Sequence, residues 1–361
     1  MRVLTVNPGS SSLKAAMVHD GVTVGWAAWQ IAEPEAVPDA IHRWPVPDAV
    51  AVRFVHGGAQ KKPAVITESL LANLERLVPL APIHQELSLA VTRQVRDLLP
   101  SVPVVACFDT AFHAGLPDAA AHYPLPREWT RQNRLRRYGF HGLSCRYVVR
   151  RTAELLGRPE SELQLVCVHV GAGVSVTAVR GGSSVDTSMG FTPLEGAAMA
   201  TRSGSIDPGL LLHVMKTAPM SPDEMEDALY HQSGLAGMSG TTGDLGAVLT
   251  AASGGDVDAR LAVSVYTHRL RREIGAAATS LDRLDALAFT GGVAEYQPEI
   301  VSAVAEGLGV LGLCLAPHER TDADRVISAP DSAAAVLVVR TREELELARG
   351  AEAVLAQPAV R

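Results

Sequence analysis

Two short segments, 162 residues apart, combine residue types suited to holding an anion. The first is Asn7-Pro8-Gly9-Ser10-Ser11-Ser12, followed closely by Lys14; the second is His169-Val170-Gly171-Ala172-Gly173. Each is predicted to be a tight turn between two strands. Glycine lets the backbone approach a ligand, serine hydroxyls add donors, and main-chain N–H groups in such a turn face outward together. Strand alternation puts Lys14 on the face of Ser10 and Ser12, adding a cation to the first tip. The chemistry this suits is phosphate binding. Neither segment is a Walker loop, since G-x-x-x-x-G-K-[ST] is absent, and neither is a G-x-G-x-x-G opening a helix. On spacing alone both also read as ordinary hairpin turns.

Strands must carry those tips. Residues 2–6, 13–18 and 22–29 read as three strands, 49–55 as a fourth leading into His56-Gly57-Gly58, and 102–108 as a fifth. Helical periodicity covers 68–78 and 86–99. Residues 165–180 then repeat the layout of 3–18 at an offset of 162, carrying Gly9 to Gly171 and Asn7 to His169. A third strand follows in each half. Further on, 286–289 is a strand ending in Thr290-Gly291-Gly292, 298–308 a helix, 333–339 a strand and 343–355 a closing helix. Two related α/β units are therefore expected: 1–115 with the returning helix 345–361, and 116–344. A length of 361 residues also exceeds one ordinary core.

Composition narrows the function classes. Hydrophobic residues are 47% and charged residues 20%, as in a folded protein rather than a disordered one. A net charge of −7 leaves no basic footprint for nucleic acid. Of 32 basic residues only Lys14, Lys61, Lys62 and Lys216 are lysines. Cys107, Cys145, Cys167 and Cys314 are widely spaced without a C-x-x-C pair, and three of them sit in or beside apolar runs, the pattern of core cysteines in a reducing compartment. No apolar run is long enough to span a membrane, and the first residues lack a signal-peptide layout, so a cytoplasmic location is expected.

The motifs NPGSSSLK, RFVHGG, APIH, FDTAFH, RRYGFHG, SVDTSMGFTPLEG, TRSGSIDPG, FTGGVAE and TREELELAR occur in that order. In this the chain resembles the acetate kinases, from residue 3 to about 350. SMGFTPLEG followed by TRSG is the most specific part; APIH or FTGG alone would be weak. The resemblance implies two duplicated ribonuclease H-like/actin-like ATPase domains (β-β-β-α-β-α-β-α) around a central cleft. It implies reversible phosphoryl transfer from ATP to acetate, giving acetyl phosphate and ADP with Mg²⁺ or Mn²⁺, in a homodimer.

Site roles follow from the same resemblance. Arg53 matches the arginine that binds the substrate carboxylate, Arg202 the second active-site arginine and His141 the histidine that stabilises the transition state. Arginine suits both places, since its planar fork meets carboxylate or phosphate bidentately. Asp109 matches the catalytic aspartate. Acetate, titrating near pH ~4, is already a nucleophile at neutral pH. Asp109 is therefore assigned to metal positioning and alignment rather than proton abstraction. Asn7 and Glu343 match residues near the magnesium, Ser10, Ser12 and Lys14 the phosphate-binding hairpin, and His84 a further active-site histidine. Val55, Ile83, Phe140 and Pro193 match the pocket for the substrate methyl. Blander readings stand beside these: a strand-end salt bridge for Arg53, a helix N-cap for Asp109 with Thr110, a dipole-favoured first turn for Glu343.

The nucleotide motifs depart from the family pattern. H-x-G-N-G is replaced by His169-Val170-Gly171-Ala172-Gly173, losing an amide. Asp244-Leu245-Gly246 stands where an arginine usually ends the triplet. Gly291-Gly292-Val293-Ala294-Glu295 replaces G-G-I-G-E, so Ala294 adds a methyl, and Tyr296 replaces an asparagine. The chain is also shorter than typical members, chiefly between Asp20 and Arg53. These changes suggest altered donor use, including inorganic diphosphate, against ordinary family variation. Propionate or butyrate kinase activity and a catalytically reduced nucleotide-binding protein are the alternative functions.

Overall fold

The computed structural model describes residues 1–9, 12–30, 36–218, 220–317 and 323–356. Ser10 lies outside the described residues, and so does the side chain of Ile83. The chain divides into two compact units: Met1–Gly115, Tyr138–Tyr147 and Arg342–Arg361 form the first, Leu116–Arg137 and Val148–Thr341 the second. The expected boundary at 115/116 and 344/345 puts residues 138–147 and 342–344 in the second unit instead. They group with the first because Asp109 accepts the His141 backbone N–H and Asn7 donates to Glu343.

In the first unit, β1 (Arg2–Pro8), β2 (Ser12–His19), β3 (Val22–Gln30), β4 (Ala49–Phe54), β5 (Ala64–Val65) and β6 (Val104–Phe108) make a sheet ordered β3-β2-β1-β4-β6-β5. β1 and β4 are buried along nearly their whole length, as expected of strands covered on both faces. One face packs on the helices Ala36–His42, Glu68–Glu75 and Pro82–Leu98 through Leu4, Met17, Val52, Leu74 and Leu89. The other receives Leu347, Ala348 and Ala351 of the closing helix Glu343–Leu355 against Val3, Ala51 and Val105. A buried leucine such as Leu347 contributes about 1.5–3 kcal/mol, which anchors Glu343 at the head of that helix.

The second unit repeats the plan. Its strands are β7 (Gln164–Val170), β8 (Val174–Arg180), β9 (Ser183–Thr187), β10 (Ala286–Thr290), β11 (Arg325–Val326) and β12 (Ala335–Val338), ordered β11-β12-β10-β7-β8-β9. Read from the other edge, this is the order of the first sheet. Both units also place a bulge at the same point: the register skips Val24 opposite Met17/Val18 and Val185 opposite Ala178/Val179. A single offset of 162 does not hold throughout, however. Asn7 pairs with Lys14 whereas His169 pairs with Ser175, so the first tip is one residue longer and Lys14 corresponds to Ser175.

The helix Ala36–His42 stands where the expected β-β-β-α order puts one, whereas the two-residue edge strands β5 and β11 carry too little periodicity to be read from sequence. Cys107, Cys145 and Cys167 are buried, Cys314 is exposed, and no disulfide joins them. Among the described residues no helix is long and apolar enough to cross a membrane.

Candidate active site

Sheet register builds the first unit's polar cluster. Val6 pairs with Val52, so the next residues, Asn7 and Arg53, stand side by side; Lys14 pairs with Asn7 and Cys107 with Arg53. Lys14, Asn7, Arg53 and Cys107 thus form one row across the sheet, and Asp109 follows two residues beyond Cys107. The Arg53 Nη2 donates to Asp109 Oδ2 at 2.6 Å, and Nε lies 3.2 Å from both carboxylate oxygens. Nη1 donates to Asn7 Oδ1 at 3.0 Å and lies 3.5 Å from Glu343 Oε2, to which Asn7 Nδ2 donates at 2.7 Å. Asp109 does not cap a helix: it opens the 3₁₀ turn Asp109–His113, and its carboxylate is spent on Arg53 and the His141 N–H.

Asp109 is fully buried and Glu343 only 7% exposed, so the charges act on one another with little solvent screening. Burial alone would disfavour a charged Arg53, but Asp109 and Glu343 outweigh it and hold the guanidinium above the ordinary arginine range. Burial pushes the Asp109 carboxyl up, with Arg53 pulling it back. The cluster sets the Arg53 guanidinium against the carboxylates of Asp109 and Glu343 and the Asn7 amide oxygen. Its donors are all hard oxygens, a set that fits a divalent cation bound partly through water.

His141 adopts the left-handed region, φ 56°, a strained conformation for a residue with a Cβ. It is followed by Gly142, where a Cβ would run into the Asp109 carbonyl. Phe140 is buried, and its carbonyl takes a hydrogen bond from neutral His113 Nε2 at 3.0 Å. Burial lowers both His113 and His56 to about 4. The His56 ring meets Tyr138 at 4.4 Å and Phe140 at 5.8 Å, and its Nδ1 accepts the Gly58 N–H. Val55, next to His56, is buried; His84 is half-buried on the helix Pro82–Leu98. Ser12 is half-buried at the start of β2, and Lys14 exposed.

The second unit gathers its own set. Arg202 donates to the Pro193 carbonyl at 3.3 Å and to Met199 Sδ at 3.9 Å, and its guanidinium lies 5.8 Å from the Tyr230 ring centroid. Among the described residues no carboxylate pairs with it. Burial accordingly lowers the Arg202 pKa from the ordinary arginine value, with Tyr230 opposing. Tyr230 was not foreseen, because nothing in its sequence surroundings marks it.

The predicted nucleotide segments converge near Ala200. Its N–H donates to the Ala172 carbonyl at 3.2 Å, and Gly243, beside Asp244, packs against its carbonyl. Gly171 donates to the Gly173 carbonyl at 3.0 Å, closing the tip that His169 and Val170 enter. Gly291, at φ 92°, lies so close to the Val170 backbone that no side chain fits.

Several of these residues also have structural work. Asp244 Oδ1 caps the helix Leu245–Ser253 through the Ala247 N–H, and Leu245 is core. A Cβ on Gly246 would stand 3.2 Å from Asp244 Oδ1 and 3.3 Å from Gln297 Nε2, so a side chain there is crowded. On the helix Gly292–Tyr296, Val293 is half-buried and Glu295 accepts the Thr341 N–H at 2.9 Å. Ala294 is buried.

The profile of the acetokinase family matches residues 46–349. The chain is 40% identical to the acetate kinase of a Synechococcus strain over 402 residues, spanning 98% of this chain and 99% of the relative. It is 47% identical over 308 residues to that of Leifsonia xyli, spanning 84% of this chain and 77% of the relative. Among solved structures, the acetate kinase of Porphyromonas gingivalis superposes with a TM-score of 0.88 at 31% identity, covering 98% and 99% of the two chains. A propionate kinase from Francisella tularensis superposes at 0.90 and 30% identity, with the same coverage. A profile match across most of the length, with relatives 40–47% identical, places this chain in the acetokinase family.

Proposed function

We propose that this chain transfers the terminal phosphoryl group of ATP reversibly to acetate, giving acetyl phosphate and ADP. The observation that carries the reading is the partly buried Arg202 guanidinium, which has no carboxylate partner among the described residues. An uncompensated cation in such surroundings is costly unless an anion arrives to pair with it. A carboxylate substrate needs no base, so the demand is charge stabilisation on the migrating phosphoryl group. Arg53, Arg202 and His141 are assigned to that work, and Asp109 to holding Arg53 and the His141 backbone in place.

Asn7 and Glu343 would hold a divalent cation, Mg²⁺ in this reading. Bound there, it would neutralise charge on the phosphates. The second unit, with the tips at residues 169–173 and 291–295 and the Asp244 turn, is assigned to the nucleotide; in the first unit, Ser12 and Lys14 are assigned to phosphate. Val55, Phe140 and Pro193, each buried, are assigned to the substrate methyl. One extra methylene is worth only about 1–3 kcal/mol, so propionate is expected to react more slowly. The helix Pro208–Thr217 exposes Leu210, Leu212 and Met215 and buries none of its residues, which supports a homodimer. A cytoplasmic location suits the substrates.

Hydroxylamine trapping of acyl phosphate tests the reading, with ATP or diphosphate as donor and acetate, propionate or butyrate as acceptor. Acetohydroxamate formed with ATP and a divalent cation is expected. Product with diphosphate alone would reassign the donor, and no product with any pair would leave a nucleotide-binding protein.

A further inference from the structure

We infer that Arg137, Glu195 and Tyr123 form a positioning network that sets Pro193 and Arg202, and through them the selectivity for an acid of acetate's size. The inference rests on the function proposed above. Arg137 and Glu195 stand in the motifs RRYGFHG and SMGFTPLEG, yet neither has a role so far; Tyr123 stands in no motif.

Glu195 joins the three. Its Oε1 accepts from Arg137 Nη2 at 2.7 Å, and its Oε2 accepts the Tyr123 hydroxyl. The Tyr123 oxygen in turn accepts the Phe191 N–H at 2.9 Å, and Arg137 Nη1 donates to the Ser188 carbonyl at 3.0 Å. The Arg137 guanidinium lies over the Tyr123 ring, 5.4 Å from its centroid. The irregular segment 188–196 is thereby held at its start, middle and end. Gly190 lies so close over the network that a Cβ would collide with the Glu195 carboxylate and the Tyr123 hydroxyl.

The same segment presents the groups around Arg202. The Thr192 side chain hydrogen-bonds Tyr230, whose ring faces Arg202, and the Pro193 carbonyl accepts from Arg202. Gly196 and Ser205 exchange two hydrogen bonds, at 2.8 and 3.0 Å, tying the segment to the stretch that carries Arg202. With no carboxylate to fix it, Arg202 takes its place from one carbonyl, one thioether and one ring. The carbonyl lies in the clamped segment, and Thr192 of that segment holds the ring. A guanidinium stabilising charge has to be placed closely, since a displacement of about 1 Å can cost about 10²-fold in rate. Pro193 moves with the segment, so the room for the substrate methyl changes too.

The test uses the full chain with Glu195→Gln and Tyr123→Phe, measuring melting temperature and then kcat and KM with acetate and with propionate. Tyr123→Phe keeps the ring beneath Arg137 and removes two hydrogen bonds, so it reads out even if Glu195→Gln folds poorly. The expected result is a kcat with acetate lowered about 10–100-fold in Glu195→Gln and less in Tyr123→Phe, with the propionate-to-acetate ratio of kcat/KM raised several-fold. KM for ATP stays unchanged. Equal loss with both acids, or a loss that only follows the melting temperature, would mark the network as structural and overturn the inference. So would near-native kinetics in both variants. If the unmodified protein makes no acyl phosphate, the functional reading itself fails; if it does and the variants match it, only this inference fails.

Discussion

Arg53 in the first unit touches two carboxylates and an amide oxygen, whereas Arg202 in the second touches a carbonyl, a thioether and an aromatic face. The residue type is the same and the electrostatic outcome is opposite. Around Arg53 carboxylates face the guanidinium; around Arg202 no carboxylate does among the described residues, which suits an arriving anion. Arg53 is also part of what holds its unit together, since Asp109 is buried with it and binds the His141 backbone. Arg202 contributes an uncompensated charge that folding alone has no use for. Such groups mark functional sites because their cost is recovered only on binding.

The largest effect is expected from Arg53→Ala. Removing one partner of a buried pair leaves Asp109 uncompensated, and denaturant unfolding is expected to show a loss of about 3–5 kcal/mol along with lost activity. Arg53→Met combined with Asp109→Leu is expected to recover most of that stability and none of the activity. A stability close to wild type in Arg53→Ala would erase the contrast between the two arginines.

Acid separates the units next. His56 and His113, both in the first unit, have folded values near 4 against an ordinary 6.5, so the unfolded chain binds more protons between those limits. Stability is therefore complete above about pH 6.5 and falls as the pH drops toward 4, by up to about 3 kcal/mol for each histidine. Unfolding curves at a series of pH values would show it. His113→Gln, which can still donate to the Phe140 carbonyl, is expected to remove about half of the slope. A flat profile would mean these rings are not held neutral.

The smallest effect is expected at Tyr230. Tyr230→Ala removes a cation–π contact worth about 0.5–2 kcal/mol, so kcat/KM for acetate is expected to fall between about 2- and 30-fold. Tyr230→Phe should retain most of it. Equal losses in the two variants would assign the effect to the hydroxyl and its bond with Thr192 instead.

The hairpins were legible because strand alternation and Gly/Ser tips are local signals, and the residue types of the Arg53 cluster were legible through their motifs. Their pairing was not. Asn7 and Glu343 lie 336 positions apart, and only the closing helix, packed through Leu347, brings them together. The left-handed His141 was hidden too, since a histidine between Phe140 and Gly142 has no sequence mark of its backbone. The shorter second tip escaped notice because a one-residue difference is invisible until strand pairing fixes register. Arg202 was identified by motif, but its lack of an acidic partner is a fact of tertiary packing. Of the nucleotide departures, the burial of Ala294 is likewise a fact of packing that local sequence could not decide.

The most direct measurement compares Arg202→Ala with the unmodified protein in both acyl phosphate formation and unfolding. In Arg202→Ala a kcat lowered about 10²–10³-fold is expected, as for loss of a charge-stabilising donor, with stability unchanged or slightly raised. A near-native kcat, or a stability loss as large as that of Arg53→Ala, would contradict it.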